Sequence, residues 1–143
     1  MRLFPVLGNK KGLSGRVEQW LNRDRLAQFL LSKSHFAKRD FQALLLHAWS
    51  ENLTFESMGK LLGIQRPGAW KRWRRAVDAI FRSFCTIELS LYAGALDPKI
   101  AELLIQDLQD YVDLVQQGER PERIRERLEL RMIELLRLQG RRS

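Results

Sequence analysis

The sequence predicts an all-α fold: a bundle of short helices containing a helix-turn-helix, followed by a C-terminal antiparallel helical hairpin. Three observations predict it. Apolar residues recur at spacings of three and four along nearly the whole chain and nowhere alternate as in a half-buried strand. Cap and turn residues punctuate those stripes at Thr54, Gly63, Pro67, Asp97-Pro98, Gly118 and Pro121. The charge is also divided: residues 1–96 carry 16 basic and 7 acidic side chains, residues 97–143 carry 9 and 10. The two parts therefore read as separate segments, 1–95 and 96–143.

Ser14 is placed to cap a first helix with apolar positions Val17, Trp20, Leu21, Leu26, Phe29 and Leu30. Asn22 and Asp24 interrupt that stripe, which implies a kink or two short helices. Ser34 reads as the cap of the next helix. Its apolar face is Ala37, Phe41, Leu44, Leu45, Ala48 and Trp49. Thr54 opens a short helix with Phe55, Met58, Leu61 and Leu62 on one side, and Gly63 ends it. Pro67 suits the first turn of the following helix, where its missing N–H does no harm. That helix is expected to bury Ala69, Trp73, Ala76, Val77, Ile80, Phe81 and Phe84 and to run to about Leu91.

Two further helices are expected at about 98–117 and 121–139, with Gly118 and Pro121 bracketing the turn. The first has a seam of Ile100, Leu104, Leu108, Tyr111 and Val115. The second is apolar over more of its circumference, through Ile124, Leu128, Leu130, Met132, Ile133, Leu135, Leu136 and Leu138. Residues 97–118 hold five acids and one Lys; residues 119–143 hold eight basic and five acidic residues. Opposed charges favour an antiparallel hairpin. One hairpin cannot cover so wide an apolar surface by itself, so it is expected to dock either on residues 1–95 or on a second copy. Two-fold dimers are the commonest oligomers, and a homodimer through residues 97–139 is the favoured expectation.

Composition narrows the partner. The chain has 143 residues, 45% of them apolar, which suits a packed domain, and a net charge of +8. A basic balance favours a polyanion. No apolar run approaches the ~20 residues of a membrane span, so no membrane partner is expected. Cys85, the single cysteine, excludes an intrachain disulfide. It fits a reducing cytoplasm and is expected in the core. Leu3, Phe4, Val6 and Leu7 form a patch too short for a signal peptide.

The residues around 54–76 carry the sharpest signal. A helix-turn-helix needs a small residue where its helices cross, a tight turn four residues later, and small or apolar residues inside the second helix. Gly59, Gly63 with Ile64, and Ala69 with Trp73 occupy those places. What remains on the second helix is Gln65, Arg66, Gly68, Trp70, Lys71, Arg72, Arg74 and Arg75, a dense basic face beside a polar start.

The run Phe41-Gln-Ala-Leu-Leu-Leu-His-Ala-Trp-Ser-Glu-Asn-Leu-Thr-Phe-Glu-Ser-Met-Gly-Lys-Leu-Leu-Gly-Ile-Gln-Arg-Pro-Gly-Ala-Trp-Lys-Arg-Trp-Arg-Arg-Ala76 resembles region four of bacterial sigma factors and related regulators. The likeness covers about residues 37–76. Gly59 stands for the family's usual Ala, Ala69 for a Val and Trp73 for a Leu. Pro67 and Trp70 depart from its usual turn and polar residues. The resemblance implies that Gln65, Arg66, Gly68, Trp70, Lys71 and Arg72 face the DNA major groove, with Arg74 and Arg75 nearer the phosphates. No region two is visible.

Other residues have plainer readings. Trp20, Trp49 and Trp73 are expected in the core. Trp70 either stacks on DNA or packs on the lead-in helix. Lys10 and Lys11 are either a phosphate-contacting arm or a solvated terminus. Lys38, Arg39 and Lys60 are candidate contacts to the DNA backbone. His35 and His47 lie twelve apart with no ligand spacing around them, and no nucleophile elbow or phosphate loop is present. No catalytic residue, metal or cofactor is therefore assigned. The expected function is sequence-specific binding of double-stranded DNA in transcriptional regulation. The alternatives are a DNA-packaging subunit like a small phage terminase, an architectural DNA-organising protein, or an RNA- or protein-binding bundle.

Overall fold

A computed structural model describes residues 10–117 and 121–140. They form α1 (Lys10–Arg23), α2 (Arg25–Lys33), α3 (Lys38–Trp49), α4 (Phe55–Leu62), α5 (Arg66–Tyr92), α6 (Pro98–Gln117) and α7 (Pro121–Gly140). Among the described residues there is no strand, and the fold is all-α. No helix among them is long and apolar enough to cross a membrane. The chain divides into two compact units between Phe84 and Cys85, inside α5. The sequence reading put that division at residue 95.

The first unit is built on α1. Leu13, Val17 and Leu21 recur every four residues and are all but fully buried. They meet Ala43, Leu45 and Leu46 of α3, Met58 of α4 and Ala69 of α5. Trp20, Trp49 and Trp73 are half-buried around this cluster, and the Trp20 and Trp49 rings meet edge to face at 5.4 Å. The expected interruption at Asn22–Asp24 is a true break. Asp24 caps α2, accepting the Ala27 N–H at 2.9 Å.

Several sequence expectations are corrected here. Helix α1 starts at Lys10, so Ser14 lies inside it. Ser34 ends α2, and α3 begins after Ala37 without a side-chain cap. The buried face of α3 is Asp40, Ala43, Leu45 and Leu46, whereas Ala48 is exposed. The face is rotated because Asp40 turns inward to an arginine of α5. Phe81 and Phe84, expected to be buried, are 66% and 57% exposed, and Cys85 is exposed. The second half of α5 has left the core that covers Ala69 and Ala76.

In the second unit α6 packs on α7. Along α6, Ile100, Leu104, Asp107, Tyr111 and Leu114, spaced four, three, four and three, are buried or half-buried. Asp107 is 3% exposed and accepts a hydrogen bond from Arg131 of α7 at 3.1 Å. Arg131 also pairs with Asp110. Leu108 and Val115, expected in this seam, point away from it and are exposed. They belong to a second stripe, Ile105, Leu108, Val112 and Val115, spaced three, four and three. Leu130, Ile133 and Leu136 of α7 are exposed as well. Residue Gly118 and the side chains of Lys10, Lys11, Ile124, Leu128, Leu135 and Leu138 lie outside the described residues, as does the apolar patch of Leu3 to Leu7.

Candidate nucleic-acid interface

Helices α4 and α5 with residues 63–65 between them form the candidate interface. Thr54 caps α4: its hydroxyl oxygen accepts the Ser57 N–H at 3.1 Å and its O–H donates to Ser57 Oγ at 3.0 Å. Gly63 closes α4 in the left-handed region at φ 70°. The Ile64 N–H then donates back to the Gly59 carbonyl at 2.8 Å. The chain reverses directly over Gly59. A Cβ built there would lie 2.6 Å from the Ile64 carbonyl oxygen and 3.2 Å from the Gln65 carbonyl carbon. Only glycine lets the turn sit this close to α4, and the start of α5 is placed by that contact.

An aromatic group ties α3, α4 and α5 together. The His47 ring lies 5.9 Å from Phe55 and 5.2 Å from Trp73, and Phe55 lies 5.5 Å from Trp73. His47 thus has a packing role. Among the described residues no group of three His, Cys, Asp or Glu side chains is arranged to hold a metal ion.

The candidate DNA residues differ in their surroundings. Gln65, Arg66, Trp70, Lys71 and Arg74 are exposed at the start and along the outer face of α5, with Trp70 46% exposed. Lys60 of α4 and Lys38 and Arg39 of α3 are exposed on other helices. Gly68 is half-buried against the Ile64 side chain and presents no group outward.

Arg75 is engaged elsewhere. Its Nε and Nη2 donate to both carboxylate oxygens of Asp40 at 3.1–3.3 Å. Arg74 makes a looser exposed pair with Asp78 at 3.5 Å, an i,i+4 contact of little energetic weight. Arg72 lies apart from the outward set. It is half-buried and lines a cleft of about 400 Å³ together with Ser14 and Glu18 of α1 and Arg39 and Gln42 of α3.

Sequence reasoning missed Asp40 and this cleft. A carboxylate inside an otherwise apolar helical stripe was the available signal for Asp40. Nothing local marks the cleft, since its walls come from four helices.

No family model matches this chain, and no curated protein or solved structure matches it. The resemblance to sigma region four rests on residues 37–76 alone.

Proposed function

We propose that this chain binds double-stranded DNA through α4 and α5, as a sequence-specific transcriptional regulator whose helix-turn-helix is like region four of sigma factors. One observation carries the reading. The chain reverses over Gly59 with turn backbone at a distance only glycine permits, and α5 begins directly after that turn with Gln65, Arg66, Trp70, Lys71 and Arg74 exposed. A recognition helix reads base edges from its first turns and meets phosphates from its flanks. Arg66 and Gln65 stand at the reading end; Lys71, Arg74, Lys60 and Lys38 suit the backbone. The basic excess of residues 1–96 brings the chain to the duplex, and affinity falls steeply with salt. A DNA partner and an exposed thiol at Cys85 suit the reducing cytoplasm.

The second unit supplies the subunit contact in this reading. The stripe of Ile105, Leu108, Val112 and Val115 has the three-four spacing of a coiled-coil seam and is exposed in the single chain. A second copy covering it makes a homodimer through residues 97–139. Two recognition helices then read half-sites one helical turn apart, or a multiple of it.

Selection of binding sites from a random duplex pool at two salt concentrations tests the function. A recovered palindrome or direct repeat supports a regulator. Absence of enrichment at low salt rejects DNA binding.

A second reading, a DNA-packaging or architectural subunit, draws on a different observation. Exposed apolar side chains occur on α5 (Phe81, Phe84, Leu89) and on α7 (Leu130, Ile133, Leu136) as well as on α6. Two different apolar surfaces can meet head to tail and close into a ring. Enrichment of DNA without a motif, with a sedimenting species larger than a dimer, favours this reading.

A further inference from the structure

We infer that the cleft between α1, α3, α4 and α5 is a phosphate-binding site, with Arg72 and Arg39 as its ligating residues. Four observations lead there.

The cleft has a volume of about 400 Å³, within the range of small-molecule sites. Its lining is mainly polar: Arg39 and Gln42 from α3, Arg72 from α5, and Ser14 and Glu18 from α1, over a floor that includes Leu46. Two guanidinium groups against one carboxylate leave the walls net positive.

Among the described residues, no ion pair or side-chain hydrogen bond engages either Arg39 or Arg72. Their neighbours on α5 differ, since Arg74 has Asp78 and Arg75 has Asp40. Arg72 is half-buried, and no carboxylate among the described residues pairs with it. An oxyanion from outside completes the site. The guanidinium fork matches phosphate oxygens two at a time. The Gln42 amide and Ser14 hydroxyl add neutral donors. Glu18, at the exposed rim, can accept from a hydroxyl or from a protonated phosphate oxygen, which inorganic phosphate carries at neutral pH. The preferred occupant is a phosphate group, with room in the cleft for a larger polar molecule that carries it.

Such a group has two sources: a free phosphorylated small molecule, or a backbone phosphate of bound DNA. The second source rests on the proposed DNA function; the first stands without it. The test uses the full chain and inorganic phosphate as the probe. Melting temperature is followed through a phosphate titration, with ionic strength held constant by chloride. The same titration is run on Arg72→Gln, Arg39→Gln and, as a control outside the cleft, Lys33→Gln. DNA affinity is measured against salt for all four proteins.

A saturable rise in melting temperature, with phosphate affinity about tenfold weaker in both cleft variants and unchanged in Lys33→Gln, establishes the site with a free ligand. No response to free phosphate, but a salt slope reduced by about one in both cleft variants with sequence preference intact, establishes it with DNA phosphate as the source. Arg39 is exposed at the cleft wall, so Arg39→Gln gives a folded test protein even where Arg72→Gln does not. If phosphate does not stabilise the chain and the variants leave the salt slope unchanged, the inference is overturned, whether or not the chain binds DNA.

Discussion

Arg75 of α5 grips Asp40 of α3 across thirty-five residues of sequence, its Nε reaching both carboxylate oxygens and its Nη2 one of them. Asp40 is 7% exposed; the Arg75 side chain is 60% exposed. The hydrogen bond first, and the carboxylate charge second, hold the guanidinium pKa above its ordinary value, so the pair is intact on the arginine side throughout the working pH range. The contact joins the candidate recognition helix to the helix that leads into it. Arg75 is therefore expected to act as a positioning residue, where the resemblance implies a phosphate contact.

Arg75→Ala is expected to lower the melting temperature, because it strands a buried carboxylate. A double-mutant cycle with Asp40→Ala should show a clear coupling energy. Arg75→Lys should rescue poorly, having no fork to span both oxygens. The salt slope of DNA binding should be the same in Arg75→Ala as in the parent chain. A slope smaller by about one would instead make Arg75 a phosphate contact.

Gly59→Ala should destabilise the first unit by about 1–3 kcal/mol, as overpacking against immovable backbone does. The added methyl would sit 2.6 Å from the Ile64 carbonyl oxygen. Gly63→Ala strains only the left-handed turn, at about 1–2 kcal/mol. Chemical denaturation of the two variants checks the magnitudes. The sharper check is DNA affinity: Gly59→Ala should lose more of it than its stability loss explains, since it displaces the start of α5.

On the outer face of α5, different residues should fail differently. Arg66→Ala is expected to cost about 1–3 kcal/mol in binding to the preferred site and to relax preference at one base position. Lys71→Ala should weaken all sequences alike and lower the salt slope by about one. Arg82→Ala, further along α5, should change neither. Quantitative gel shifts with matched and mismatched sites separate these outcomes. Equal loss on all sequences for Arg66→Ala would remove it from base reading.

Tyr111 gives the second unit a pH signature. Its hydroxyl is buried and has no hydrogen-bond partner among the described residues. Burial, then the charges of Asp107 and Glu129, push its pKa up from 10.0 to about 12. Between these values the unfolded chain loses the phenolic proton while the folded chain keeps it. Stability contributed by Tyr111 is thus present below pH 10 and is lost as pH rises through about 12. Tyr111→Phe should melt no lower than the parent at neutral pH, because it removes an unsatisfied buried hydroxyl. It should also abolish this part of the alkaline decline. Melting curves from neutral pH upward measure both.

The exposed α6 stripe makes the oligomeric state testable. Leu108→Lys with Val112→Lys should convert a dimer to a monomer in sedimentation equilibrium while helix content is retained. Both side chains are exposed, so the α6–α7 contact should survive the change. A dimer that survives both substitutions would place the subunit contact on another surface.

The all-α class and the reversal between α4 and α5 were legible in the amino-acid sequence, whereas the caps of α1 and α3 were not. Thr54, Gly63 and Pro67 act on neighbouring backbone, and their effects are complete within one or two turns. Helix α6 was legible over 98–117 for the same reason, with Asp97-Pro98 to start it. Gly59 marked the place where the turn folds back on α4, since a Cβ there would meet the Ile64 carbonyl oxygen. The tertiary structure alone decided which charged side chains turn inward. Asp40 and Asp107 sit in buried faces because Arg75 and Arg131 reach them from other helices. Arg72 lies in a cleft whose walls are spread over four helices, and Phe81 and Phe84 are exposed where α5 outruns its core. Helical periodicity says which residues share a face. Only the neighbours that come to lie against that face decide whether it is covered, paired or left open.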